Sequence, residues 1–186
     1  MCGIFGIISS KNINRHHLTK LAEHARQRGR DSSGLMYLES TSYKIRRADY
    51  DINRLLSKPS SLQSNFIMGH SRLITNGLSD NQPVVRDGMA VIHNGIVVNE
   101  AHVWQNIEVK RQFEIDSETI LGVALHHLNK GAAVNDLAKQ VLSLCKGTIS
   151  AALALPKLGK LCLFSNNGSL FSGLNEEARY FSSERY

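Results

Sequence analysis

The sequence predicts sheet layers covered by helices, because β-branched and aromatic runs fill the first half, two helical stripes follow, and strand-like runs return to the end. Residues 3–8, GIFGII, read as a buried strand that ends at Ser9-Ser10. Leu18, Leu21, Ala22 and Ala25 then recur at helical spacing, with Asn14 as the N-cap and Gly29 as the stop. Residues 35–39 and 43–47 form two strands joined through Ser40-Thr41-Ser42, and 65–71 and 89–98 are further strands. Ile120, Leu121, Ala124, Leu125 and Leu128 make the first of two adjacent helices; Leu137, Val141 and Leu144 repeat the stripe after Asn135. Strands follow at 149–155, 160–164, 169–171 and 179–182, punctuated by Pro156, Gly159, Asn166-Asn167-Gly168 and Gly173.

The chain of 186 residues suits one sizeable domain, and no repeat, low-complexity tract or Pro/Gly-rich linker divides it. No apolar run approaches the roughly 18 residues a membrane-spanning helix requires, which excludes such a helix. Lys+Arg 22 against Asp+Glu 16 gives a net charge of +6, but only Lys44, Arg46 and Arg47 cluster tightly and no nucleic-acid-binding signature accompanies them. Cys2, Cys145 and Cys162 are an odd number without a C-x-x-C pair, so neither a disulfide framework nor a zinc site is expected. With no signal-peptide pattern at MCGIFGII, cytoplasmic residence is the simplest reading. The ending FSSERY, directly after a strand, suggests a domain cut from a longer chain.

Several groups could carry chemistry. Cys2 follows the initiator Met and is small enough to permit its removal, which would give one residue both a thiol and a free α-amine. An α-amine with a reference pKa of roughly 7.7 to 8.0 can serve as base near neutral pH, with a bridging water as the proton path. A small buried apolar residue is the competing reading. Arg28-Gly29-Arg30-Asp31-Ser32-Ser33-Gly34 reads as a helix-to-strand turn with a scaffolding role. In Gly69-His70-Ser71-Arg72-Leu73-Ile74-Thr75-Asn76-Gly77, Arg72 could hold a carboxylate with a forked pair of hydrogen bonds, whereas His70 reads as a core histidine. His93-Asn94-Gly95-Ile96 has two readings. An Asn amide and a following Gly N–H can converge on an oxyanion, and Asn-Gly is also the strongest hairpin-turn signal. Asp116 or Ser117 would cap the next helix, and the Asp116 carboxylate could equally bind an ammonium.

A terminal thiol, an oxyanion donor pair, a carboxylate binder and an ammonium binder together fit hydrolysis of the amide of an amino acid. MCGIFGI, RGRDSSG, GHSRLITNG, NQP, HNGI and DSE, in that order, resemble the glutaminase domain of class II glutamine amidotransferases, among the N-terminal-nucleophile hydrolases. The resemblance runs from Cys2 to at least Ser183 and implies an α+β fold, a four-layer αββα sandwich, over residues 1–186 as the N-terminal part of a longer chain. It implies Cys2 as nucleophile with its amine as base, and Asn94 and Gly95 as the oxyanion hole. Arg72 and Thr75 would hold the glutamine α-carboxylate, with Asn76 in the same substrate-binding set, and Asp116 would take the α-ammonium. Glutamine is the implied substrate and an ammonia-accepting synthetase or transferase domain the implied partner. No cofactor or metal is expected for the glutaminase reaction, and the resemblance implies neither nucleic-acid nor membrane partners; a homo-oligomer is compatible with it.

Leu73 replaces the Trp, and Asn76 the His, of the GHTRWATHG motif in the glucosamine-6-phosphate synthase branch, while HNGI resembles that branch. Asn81-Gln82-Pro83 and Phe181-Ser182-Ser183-Glu184 lean toward the asparagine synthetase branch, so the ammonia acceptor stays open. The segment from Leu73 to Gln82 is the expected lid. Two alternatives are a stand-alone N-terminal-Cys amidase of the bile-salt or penicillin type, and a catalytically idle binding domain on the same fold.

Overall fold

A computed structural model describes residues 2–57, 63–73 and 81–185. They form two compact units, Met1–Pro83 with Ser169–Tyr186, and Val84–Gly168.

The first unit contains strands β1 (Gly3–Ser9), β2 (Ser32–Glu39), β3 (Ser42–Ala48) and β4 (Phe66–Arg72), together with β9 (Phe171–Leu174) and β10 (Ala178–Ser182). They form one antiparallel sheet in the order β3-β2-β4-β1-β10-β9. Helices α1 (Arg15–Arg26) and α2 (Ile52–Leu56) belong to the same unit. Leu18, Leu21 and Ala25 of α1 pack with Phe5 and Ile7 of β1, Leu35 and Tyr37 of β2 and Ile67 of β4, so these residues mark the helix-covered face of the sheet. Side chains alternate along a strand. Ile4 and Gly6 therefore occupy the other face, as do Met68, His70 and Arg72 of β4, and Cys2 continues that series. The expected N-cap holds: the Asn14 side chain accepts a hydrogen bond from His16 N at 2.9 Å.

The head of β1 is held tightly. A Cβ on Gly3 would lie 2.2 Å from the Ala25 carbonyl oxygen, so only glycine lets the strand approach the end of α1 this closely. Ile4 N donates to Ser183 Oγ at 3.0 Å, and Ser183 N returns a bond to Ile4 O at 2.8 Å. Across the strand, Ser71 Oγ donates to Gly29 O at 2.7 Å and Asp31 N donates to Arg72 O at 3.0 Å. The turn at residues 28–34 is thus the scaffold its sequence suggests.

The second unit builds the antiparallel sheet β5-β6-β7-β8 from β5 (Val84–Arg86), β6 (Met89–Val97), β7 (Gly147–Leu155) and β8 (Lys160–Ser165). Its helices are α3 (Glu100–Asn106), α4 (Ser117–Asn129) and α5 (Leu137–Leu144). Val91 and Val97 of β6 and Ile149, Ala151 and Leu153 of β7 face Ile120, Leu121 and Ala124 of α4 and Val141 of α5. Asn94 points to the opposite face, where Ala90 and Ile92 also lie. The helical stripes at 120–128 and 137–144 are as predicted. The strand expected at 169–171 instead runs from Phe171 to Leu174, where it pairs with β10 through Phe181↔Ser172. Helices α2 and α3 and strand β5 escaped the sequence reading, being too short for periodicity to register.

One buried ion pair organises the approach to α4. Arg86 Nη1 meets Glu118 Oε1 at 2.7 Å, and the Glu118 side chain has no solvent exposure. The same carboxylate accepts Gln112 N at 2.9 Å and Phe113 N at 2.7 Å, lashing the segment before α4 to its first turn. Removing one partner of a buried pair leaves the other charge uncompensated, so Glu118→Ala should cost about 3 kcal/mol in urea unfolding. Replacing both, as Arg86→Met with Glu118→Leu, should cost less than the sum of the single changes. A loss under about 1 kcal/mol for Glu118→Ala would contradict a structural role for the pair.

Candidate active site

Two groups of residues, one in each unit, answer to the chemistry read from the sequence. In the first unit, Gly3 lies opposite Ser71 and Arg72 opposite Ser32. Continued by one residue, this register brings Cys2 beside Arg72 at the same end of the sheet. Thiol and guanidinium thus stand on neighbouring strands and on the face away from α1. Cys2 is half-buried, whereas Cys145 is buried and its thiol is pushed up to about 12 by desolvation. Burial also raises the Cys162 thiol, against a smaller opposing pull from Lys160. Thiolate is the nucleophilic form, so these two cysteines are poorly suited to attack a carbonyl. His70 is fully buried on β4, in keeping with a core histidine. Thr75 and Asn76 lie outside the described residues, as does most of the segment expected to form a lid.

In the second unit, the sequence left Asn94-Gly95 open between a turn and an oxyanion hole, and the structure removes the turn. Both residues lie within β6, with Asn94 opposite Ser150 and Gly95 opposite Ile149 on β7. Gly95 has φ +145°, and a Cβ there would fall 1.8 Å from the Thr148 carbonyl oxygen. Backbone conformation and close approach both demand glycine at this position. Asn94 is 2% exposed, its Oδ1 has no hydrogen-bond partner, and its side chain bonds to none of the described residues. Whichever way the amide is oriented, its NH2 donors are uncommitted among these residues.

Asp116 occupies the expected N-cap position of α4, but its side chain makes no capping bond. Its Oδ2 instead accepts Val97 N from β6 at 2.9 Å, and its Oδ1 lies 3.3 Å from Ser117 Oγ. The side chain is 24% exposed, so the carboxylate is anchored by its neighbours and still accessible. Sequence reasoning missed what stands behind it. His93 is buried, with Nδ1 3.2 Å from Ser117 Oγ and Nε2 3.3 Å from Thr148 O. It also missed the Ser183 brace on β1 and the Arg86–Glu118 pair. Each adjoins a motif that was noticed, but alternation and chain distance hide such partnerships from a linear reading. Among the described residues no group of three or more His, Cys, Asp or Glu could hold a metal ion.

No family model matches the chain. It is 29% identical to the glutamine–fructose-6-phosphate aminotransferase (isomerizing) of Wigglesworthia glossinidia brevipalpis, in an alignment of 165 positions, gaps included, that covers 82% of this chain. It is 28% identical to the enzyme of the same name from Buchnera aphidicola subsp. Baizongia pistaciae, in an alignment of 201 positions, gaps included, that covers 100% of this chain. The chain spans 27% and 32% of these two relatives' lengths. Among solved structures, the glutamine phosphoribosylpyrophosphate amidotransferase of B. subtilis superimposes with a TM-score of 0.78 at 21% identity, over 98% of this chain and 42% of that one. A glutamine aminotransferase class-II domain protein from Silicibacter pomeroyi gives 0.61 at 15% identity, over 97% of this chain and 88% of that one. The expected α+β fold of the N-terminal-nucleophile hydrolase type is therefore the fold observed, and the chain's relatives are glutamine amidotransferases. No helix among the described residues is long and apolar enough to cross a membrane.

The His93 environment has a measurable consequence. Burial lowers its pKa, against smaller opposing pulls from Asp116 and the Thr148 carbonyl, so the folded unit keeps the ring neutral. The unfolded chain protonates it near the ordinary value of about 6.5. Stability is then fully present above that pH and falls below it, by up to about 1.4 kcal/mol per pH unit, until the lowered folded pKa is reached. His93→Gln should flatten this acid limb in urea unfolding series run from about pH 7 to about pH 5. An unchanged limb would assign the proton uptake to another group.

Proposed function

We propose that this chain hydrolyses the side-chain amide of glutamine through a Cys2 thioester and supplies the ammonia to a synthetase or transferase domain. The single observation that carries the reading is Asn94: a buried amide in mid-strand, without a hydrogen bond to any described residue, beside a glycine with positive φ. Buried polar groups are rarely left unmatched, and an oxyanion that forms only during reaction is a partner such an amide could serve.

With Met1 removed, the α-amine of Cys2 takes the thiol proton, most simply through a bridging water, and the thiolate attacks the carboxamide carbon of glutamine. A C–S bond forms, and the carbonyl oxygen becomes an oxyanion held by the Asn94 amide and the Gly95 N–H. The protonated amine returns its proton to the leaving nitrogen, the C–N bond breaks, and ammonia departs. Water, deprotonated by the same amine, then adds to the γ-glutamyl thioester; the C–S bond breaks, giving glutamate and free Cys2. In the same reading, Arg72 and Thr75 hold the α-carboxylate, with Asn76 in the same set, while Asp116 holds the α-ammonium. These groups select an α-amino acid, which a stand-alone amidase of another specificity would not need to recognise. The similarity to glutamine–fructose-6-phosphate aminotransferases and the synthetic activities named for the relatives support an ammonia-accepting partner.

Kinetics separate the roles. Asn94→Ala should lower kcat by about 10² to 10³ while changing the glutamine KM little, because an oxyanion donor acts as charge develops. Arg72→Ala and Asp116→Ala should each raise KM sharply, since a truncated partner leaves its substrate charge unmatched. Parental KM in both charge variants would overturn the glutamine reading in favour of an amidase of other specificity. Supplied with glutamine, ATP and candidate acceptors, the chain alone should release ammonia and form no aminated product.

A further inference from the structure

Behind the exposed carboxylate of Asp116 lies a buried relay whose members all belong to the second unit. His93 and Asn94 are consecutive on β6, so their side chains take opposite faces: Asn94 lies on the face away from α4, and His93 reaches the first turn of α4. The contact of His93 Nε2 with Thr148 O, at 3.3 Å, fixes the tautomer, because a carbonyl can only accept. Nε2 therefore carries a hydrogen, and in the neutral ring Nδ1 is an acceptor facing Ser117 Oγ at 3.2 Å. Ser117 is fully buried, and its single hydroxyl hydrogen lies between two acceptors, His93 Nδ1 and Asp116 Oδ1, the latter at 3.3 Å. Thr148 O, at the other end of the ring, is the atom against which Gly95 is pressed.

We infer that His93 is a positioning residue for both polar ends of the substrate site. Through Ser117, whose hydroxyl hydrogen is shared between His93 Nδ1 and Asp116 Oδ1, it orients the Asp116 carboxylate toward an ammonium. Through Thr148 O it fixes the backbone beside Gly95, and so the direction of the Gly95 N–H. The side chain of His93 touches neither substrate nor Cys2 in this account; it acts through Asp116 and Gly95. The inference rests on the proposed roles of those two residues.

The two arms can be tested apart. Ser117→Ala removes the hydroxyl that joins His93 to Asp116 while leaving the His93–Thr148 contact, and should raise the glutamine KM about three- to tenfold with kcat within about twofold of the parent. His93→Gln places an amide NH2 near the position of Nε2, keeping a donor for Thr148 O, and should largely preserve kcat. His93→Asn is too short to reach Thr148 O and should lower kcat by about tenfold or more as Gly95 shifts. Nitrogen-15 NMR of the parent should find a neutral imidazole with hydrogen on Nε2 at neutral pH, a readout that does not depend on either histidine variant folding.

Asp116→Ala serves as the control. If it raises KM while Ser117→Ala leaves KM unchanged, the inference fails and the ammonium-binding role stands. If Asp116→Ala itself leaves KM unchanged, that role fails as well. Equal kcat for folded His93→Gln and His93→Asn, or hydrogen on Nδ1 in the parent, would overturn the Thr148 arm.

Discussion

The first unit depends on a backbone contact: the head of β1 is pressed against the end of α1, with Gly3 leaving no room for a side chain beside the Ala25 carbonyl. The reciprocal bonds between Ile4 and Ser183 hold the strand from its other side, and the anchored turn at residues 28–34 fixes the neighbouring end of β4. Cys2 is consequently the continuation of a braced strand, in register with Arg72. In the proposed reaction such fixation would serve the Cys2 thiol, because entropy spent on ordering it during folding is not spent again in each encounter with substrate.

The second unit uses two carboxylates at the start of α4 in opposite ways. Glu118 is sealed and saturated by Arg86 and backbone donors, and it organises the approach to α4. Asp116, two residues earlier, is held by Val97 N but stays partly exposed and lies against a neutral histidine rather than a cation. A buried charge that stabilises the fold needs its partner inside the protein; one proposed to recognise an ammonium keeps part of its capacity for the ligand. The same distinction separates Ser150, which bonds Asn167 Oδ1 at 2.8 Å, from Asn94 directly opposite it on β6.

Much of the architecture was legible because its elements are long enough for periodicity to speak. The α1 stripe, the α4 and α5 stripes and the runs of β1, β6 and β7 all exceed the noise of a few residues, and Asn14 capped as its position suggests. What escaped was short, like α2 and β5, or depended on contacts between distant parts of the chain, like Ser183 with Ile4. The site was legible as residue types in order, with the local readings of two positions left open. Asn-Gly was open between a hairpin turn and an oxyanion hole, and its partners across β7 keep it extended; Asp116 stands at the N-cap as read, yet its carboxylate bonds a strand instead of capping. In both cases tertiary pairing overrode a local preference. Motif order carried the family resemblance, and the curated relatives are enzymes named for fructose-6-phosphate, while Leu73 and the NQP segment depart from the aminosugar pattern.

The central claim is that Cys2 is the nucleophile, and a glutamine-analogue electrophile followed by peptide mapping tests it most directly. The account predicts that the chain loses its Met1 and is modified once, on the Cys2 sulfur, with free glutamine protecting against the reaction. Modification at Cys145 or Cys162 with Cys2 untouched would contradict it.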